Sequence, residues 1–231
     1  MGKYQSVFNK RSTFLTVIHV EGTEQALRNA IIAKENGADG IFLINHNISY
    51  AALLHAYLKI VGELSKFWVG LNFLDLGRRA VRVMPQDADG LWVDNAGIVE
   101  DGEDQVAEAL RFDRSRKNHG WNGLYFGGVA FKYQAPVADV ALVAKLAVPY
   151  VDVVTTSGDG TGEAADLGKI KKMKAAIGEH PLAVASGITP ENVHAYVPYV
   201  DCFLVATGIS HSHTELNPAR VRALADILGK K

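Results

Sequence analysis

The sequence predicts an α/β chain wound into a (β/α)₈ barrel, and three observations carry that prediction. Eight short β-branched or aromatic runs begin near Phe14, Gly40, Phe67, Gly90, Gly123, Val151, Leu182 and Cys202, and each precedes a stretch of helical periodicity. Runs such as Gly40-Ile41-Phe42-Leu43-Ile44 and Phe203-Leu204-Val205-Ala206 are apolar almost throughout, as expected of strands buried on both faces. Eight such units in 231 residues come close to the size of a barrel. An open doubly wound sheet fits less well, because it usually has fewer strands and no G-x-G-x-x-G follows the first one here.

Along the chain, the first strand leads into a helical segment over Thr23 to Asn36, and the second into Ser49 to Leu64. Later helical segments cover Asp166 to Ile177 and Pro218 to Leu228. The second, fourth, sixth and eighth strands are each entered through an aspartate: Asp39, Asp89, Asp152 and Asp201. Six residues further on stand Asn45, Asn95, Gly158 and Thr207, where polar or small residues end the apolar run. This spacing suggests a two-strand unit used four times. Strand entrances form the face that carries stability, so the aspartates are given no chemical role.

Residues 1–231 read as a single domain, with no linker, low-complexity tract or second domain. A formal charge of -1 argues against a nucleic-acid surface, which usually shows a basic excess. No apolar stretch approaches the roughly 20 residues that span a bilayer. The polar segment Met1 to Ser12 lacks the apolar core of a signal peptide, so a cytoplasmic protein is expected. The single cysteine, Cys202, lies in an apolar run and reads as a buried, inert thiol. Phe67, Trp68 and Trp92 read as core, with subunit contacts the other reading; a homo-oligomer is left open.

The strand exits hold the candidate site, as they do throughout this architecture. In chain order they present His19 and Glu21; Asn45, His46 and Asn47; Asn72 and Asp75; Asp94 and Asn95; and Lys132. The sixth opens into Ser157-Gly158-Asp159-Gly160-Thr161-Gly162-Glu163. The last two give paired glycine turns, Ser186-Gly187-Ile188-Thr189 and Thr207-Gly208-Ile209-Ser210, 21 residues apart.

Glycine allows close backbone approach, and a following helix supplies free N–H groups, so Ser186, Gly187, Ile188, Thr207, Gly208 and Ile209 are candidate phosphate ligands. Glycine is also a common way to turn from strand to helix, but the position after the final two strands favours phosphate. Asn45, Asn72, Gly158, Asp159 and Gly160 are candidate substrate contacts, the glycine loop reading equally as a surface loop. His19 is a candidate acid or base, or a hydrogen-bonded histidine at the barrel mouth. Lys132 suits polarising a carbonyl, forming an imine or pairing with an anion, with a solvated surface lysine the other reading, and Asp94 suits the complementary carboxylate, a metal ligand or a helix cap. His211-Ser212-His213 offers two imidazoles without a third ligand, so no metal and no cofactor are predicted.

With these residues in view, the chain resembles the BtpA family, TIM barrels of the phosphate-binding type related at a distance to phosphoribosylanthranilate isomerase. Val17-Ile18-His19-Val20, Trp68-Val69-Gly70-Leu71-Asn72-Phe73-Leu74 and Val129-Ala130-Phe131-Lys132 carry the resemblance. It is clearest in Thr156 to Glu163 and in Ala185 to Val193. Two family features are missing, a proline-containing segment after the first strand and a lysine after the last glycine turn, where Ser210 and His211 stand. The resemblance implies a barrel with a phosphate-type pocket and no settled reaction. The distant isomerase's cysteine base and aspartate are here His19 and Lys132, so its mechanism does not transfer.

The leading expectation is an enzyme acting on a small phosphorylated metabolite, a sugar phosphate or nucleotide fragment, by isomerase- or lyase-type acid/base chemistry. A non-catalytic binding or assembly factor on the same barrel is the alternative. A phosphoribosyltransferase ranks lower, because Val153 to Gly158 lacks the paired acids such a loop needs before it.

Overall fold

Eight parallel strands close into a barrel in sequence order, in a computed structural model that describes residues 2–229. They are β1 (Thr13–Val20), β2 (Gly40–Asn45), β3 (Trp68–Asn72), β4 (Gly90–Val93), β5 (Leu124–Gly128), β6 (Val153–Ser157), β7 (Leu182–Ala185) and β8 (Cys202–Val205). The helices are α1 (Lys3–Val7), α2 (Thr23–Glu35), α3 (Tyr50–Glu63), α4 (Ala107–His119), α5 (Val140–Ala147), α6 (Leu167–Ile177) and α7 (Pro218–Gly229). No helix is long and apolar enough to cross a membrane among the described residues.

Two of the expected outer helices are not α-helices. After β3 the chain makes only the 3₁₀ turn Gly77–Arg82, bounded by a left-handed Gly77 and by Pro85, which together leave too little room for a longer helix. After β7 it makes the 3₁₀ turn Val193–Ala195 between Pro190 and Pro198. The Thr189 hydroxyl accepts from the Glu191 amide at 3.2 Å, but the 3₁₀ turn begins only after Asn192, which gives it no side-chain cap, and the helix expected behind Thr189 does not form. Another departure lies at the start. The polar N-terminal segment folds as α1 and closes the entrance end of the barrel with Tyr4 and Phe8. The Tyr4 hydroxyl bonds Thr13 Oγ1 at 2.7 Å and the Asp201 carbonyl at 2.9 Å.

Side chains alternate across each strand, one set facing the outer helices and the other filling the barrel. Inside, Phe42 packs edge-on against Trp68 (5.1 Å between centroids), Trp92 (5.7 Å) and Phe126 (5.1 Å). Gly70 and Gly90 make space for these rings: a Cβ there would lie 2.3 Å from Phe42 and 2.4 Å from Trp68 respectively. Cys202 is fully buried in the same interior, and burial pushes its thiol well up, so it is inert.

The four entrance aspartates perform one task four times. Asp39 accepts from the Phe14 amide at 2.7 Å, Asp89 from Val69, Asp152 from Tyr125 and Asp201 from Leu182, each of these at 2.8 Å. Each carboxylate therefore ties the start of an even strand to the odd strand before it. Three have a cation at hand: Lys10 on Asp39 (2.8 Å), Arg116 on Asp152 (2.6 Å) and Lys174 on Asp201 (2.8 Å). Asp89 has no such ion pair among the described residues, and burial, with nearby Asp87 adding to it, raises its carboxyl above the ordinary range.

Replacing Asp201 or Asp39 with alanine should lower stability by about 1–3 kcal/mol in urea unfolding, because a strand-start amide loses its charged acceptor. Asp89→Asn should behave differently. The folded protein takes up a proton at Asp89 more readily than the unfolded chain, so the ionised form is the costly one at neutral pH. The asparagine variant should match or exceed the parent at pH 7, and its advantage should shrink as pH falls into the carboxylate range.

Candidate functional site

The inward phase of the strands, followed to the exit end, arrives at a cavity of about 260 Å³. Leu15 and Val17 lead to His19 on β1, Phe42 and Ile44 lead to His46 past β2, and Trp92 leads to Asp94 past β4. His19, His46 and Asp94 line the cavity together with Lys132, Tyr133, Thr161, Ser186 and Thr207. α1 closes the other end of the barrel, and aromatic rings floor this cavity. A wider cleft of about 600 Å³ lies beside it, lined by Arg78, Arg79, Arg82 and Arg111 and sharing Asp94.

Lys132 occupies the centre of this arrangement. Its ammonium donates to Thr161 Oγ1 and Ser186 Oγ, both at 3.2 Å, and its amide donates to Ser157 Oγ at 2.8 Å. Among the described residues, four non-glycine residues have left-handed backbones, and three of them, Ala130, Tyr133 and Ser186, surround this lysine. Such strain is held in place by surrounding contacts and concentrates where function needs a particular geometry. Lys169 from α6 is one of those contacts, donating to the carbonyls of Ala130 (2.5 Å) and Ser157 (2.8 Å).

Asp94 is held by Asn72, whose side-chain amide donates to Oδ1 at 3.0 Å. Burial raises the Asp94 carboxyl, and the Asn72 bond and the Lys132 charge partly offset it. His19 sits with its Nδ1 2.6 Å from His46 Nε2, so one ring must donate to the other. Burial first, then crowding by His213, His46 and Lys132, pulls the His19 imidazole down to about 3, and it is neutral at physiological pH. His46 is lowered as well, by burial and by His213 and Lys132.

The glycine turns meet the site through Ser186 and Thr207, while Ile188 and Ile209 bury their side chains beneath. Among the described residues, the amides of Gly187 and Ile188 donate to no protein acceptor. Both turn glycines are also demanded by packing. A Cβ on Gly187, whose φ is +65°, would lie 2.1 Å from the Ala164 amide, and one on Gly208 would lie 1.9 Å from the Ile188 carbonyl. The loop after β6 thus rests on the first turn, and the first turn on the second.

Some expected contacts lie elsewhere. Asn45 is one residue out of phase with His46 and faces away from the axis, where it donates to Asp75 Oδ1 at 2.8 Å and accepts from the Leu74 amide at 2.9 Å. It braces a loop instead of lining the cavity. Asn72 acts on Asp94 and not at the cavity wall. Gly158 and Asp159 border a separate depression with Lys169, and Gly160 packs on the Glu163 side chain, leaving Thr161 and Gly162 as the part of that loop at the mouth. His46 and Thr161, expected only as strand-exit residues, and Tyr133, for which no role was expected, also line the cavity. The period-two phase shared with His19 was the signal for His46.

No protein-family model matches the chain, and no curated protein does. Solved structures match over nearly its whole length. Phosphoribosyl anthranilate isomerase from Thermus thermophilus aligns at 17% identity and a TM-score of 0.65, covering 94% of this chain and 98% of that one. The (S)-3-O-geranylgeranylglyceryl phosphate synthase of Thermoplasma acidophilum, in complex with its substrate sn-glycerol-1-phosphate, aligns at 14% and 0.72, covering 99% and 98%. The tryptophan synthase alpha chain of Legionella pneumophila aligns at 13% and 0.69, covering 98% and 95%. The chain is a TIM barrel. At these identities the likeness concerns the fold, and the resemblance to BtpA rests on the sequence segments that carry it.

Gly208→Ala should destabilise the protein by about 1–3 kcal/mol, as overpacking does where backbone cannot withdraw. Thermal unfolding would show it, and an alanine variant melting with the parent would mean that the two turns are not locked together.

Proposed function

We propose that the protein is an enzyme acting on a small phosphorylated metabolite by isomerase- or lyase-type acid/base chemistry. The observation that carries the proposal is the Lys132 ammonium, suspended between the hydroxyls of Thr161 and Ser186 beside a glycine turn with unpaired amides. Fixed cation, hydroxyls and backbone N–H groups together form the chemistry that receives a phosphate dianion. A cavity of about 260 Å³ lies at the small end of ligand sites, so the fitting ligand is a sugar phosphate of few carbons.

With the anionic end held at Ser186, Gly187 and Ile188, and Thr207 and Gly208 on the far side, the reacting carbons would lie toward Asp94 and His19. Asp94, raised by burial, is able to exchange a proton with a carbon next to a carbonyl, and His19, a neutral imidazole, is placed to hydrogen-bond the substrate beside it. Lys132 would stabilise the negative charge that develops on the carbonyl oxygen. The structural neighbours add support: one is named for a phosphoribosyl substrate, and another holds sn-glycerol-1-phosphate.

Calorimetric titration with inorganic phosphate and a panel of sugar phosphates tests the reading. At least one ligand should bind, and Lys132→Ala should weaken it by about 10- to 100-fold, the worth of a hydrogen bond to a charged group. The variant's own melting temperature should stay near the parent's. Absence of binding across the panel, or equal binding by Lys132→Ala, would sink the proposal.

A further inference from the structure

The end of β1, the end of β2 and the loop between β8 and α7 each bring one histidine to the same point. In the closed barrel β1 lies between β2 and β8, so closure alone makes these three segments neighbours. One ring nitrogen from each of His19, His46 and His213 lies within 4.8 Å of the other two. The rings of His19 and His213 stack at 4.2 Å between centroids, and His46 stands 4.7 Å from His19.

The placement of His213 is built by α2. Gln25 Nε2 donates to the His19 carbonyl at 3.2 Å and to the Thr214 carbonyl at 2.6 Å, so one side-chain amide ties the strand end to the loop. Asn29, fully buried, donates to the same Thr214 carbonyl at 3.0 Å and accepts from the Leu216 amide at 2.7 Å. Arg28 pairs with Glu215 at 2.8 Å. These three residues share one face of α2, at helical spacing, and all three hold the segment that bears His213. His211, on the same loop, turns away toward Asn217.

Three imidazoles gathered without a carboxylate among them offer the nitrogen ligands that suit a borderline cation. A metal binds imidazole through the lone pair of an unprotonated ring nitrogen, and each of the three rings brings one such nitrogen to the cluster. Tetrahedral bonds of about 2.1 Å set ligand nitrogens about 3.4 Å apart. His19 and His46 nitrogens stand 2.6 Å apart and all three ligand atoms lie within 4.8 Å of one another, so small rotations of His46 and His213, both exposed, bring them to a metal's spacing.

We propose that His19, His46 and His213 bind a divalent transition-metal ion of the zinc class, with its open coordination position turned to the cavity shared with Lys132 and Asp94. Three protein ligands and one open position is the pattern of zinc sites that act on a ligand, in contrast to the four of purely structural sites. A ligand anchored at Lys132 would meet the ion with an oxygen at its other end. The proposal rests on the histidines and their scaffold and does not depend on the phosphate reading.

Untagged protein, stripped with EDTA, should bind one Co²⁺ per chain with the visible absorption of a tetrahedral site, and Zn²⁺ should displace it. His46→Ala and His213→Ala should each weaken Co²⁺ binding on the order of tenfold or more, while His211→Ala should not change it. Melting of the metal-free variants alongside the parent would show that the fold is intact. Lys132→Ala should bind Co²⁺ normally, which separates this result from loss of anion binding. No Co²⁺ binding beyond that of a His46→Ala/His213→Ala double variant would overturn the site, as would equal weakening by His211→Ala.

Discussion

A carboxylate accepting a strand-start amide is the contact on which this barrel depends. Closing a parallel sheet requires every strand to hold its stagger against its neighbours, and a slip of one residue would turn the aromatic interior outward. Asp39, Asp89, Asp152 and Asp201 fix that stagger at four evenly placed joints. With register fixed, the inward phase is set for all eight strands, and it is this phase that carries His19, His46 and Asp94 to the mouth. The exit end owes its geometry to bonds made at the entrance end.

The two ends differ in how they treat polar groups. At the entrance, carboxylates are paired with amides and mostly with cations, and α1 seals the opening with Tyr4 and Phe8. At the exit, three non-glycine residues hold left-handed backbone around one lysine, and two imidazoles crowd each other. Stability gathered at one face allows strain to be held at the other. Lys169 shows the link directly: from the outer helix α6 it fastens both the strained Ala130 and the end of β6.

Much of this was legible in the sequence. The eight apolar runs start within two residues of the observed strands, and the aspartate spacing anticipated a twofold unit that recurs as the same hydrogen bond. What escaped has physical reasons. α1 is five residues long, too short for periodicity to show, and only barrel closure gives Tyr4 and Phe8 something to bury against. Asn45 and His46 are adjacent and both polar, and only the register decides which of the two faces the axis. The missing helices after β3 and β7 follow from glycine and proline spacing, which shortens segments that composition alone would read as helical.

The relation of His213 to His19 is the hardest of these to read from sequence, because it joins positions at opposite ends of the chain. Two features had to act together. Closure of β8 on β1 brings the loop near, and Gln25 and Asn29 then fix it by bonds that skip the strands altogether. A polar pair on the first barrel helix would ordinarily read as solvent-facing, yet Asn29 is fully buried. A buried asparagine is kept only where its bonds are all met, and here they are met by backbone of the His213 loop. The same bonds give the mouth two chemically distinct sides. Around β5 to β7 it presents a cation, hydroxyls and unpaired amides; around β8, β1 and β2 it presents three clustered imidazoles. A ligand filling the cavity of about 260 Å³ would meet both sides at once, an anion-receiving side and a side of imidazole nitrogens.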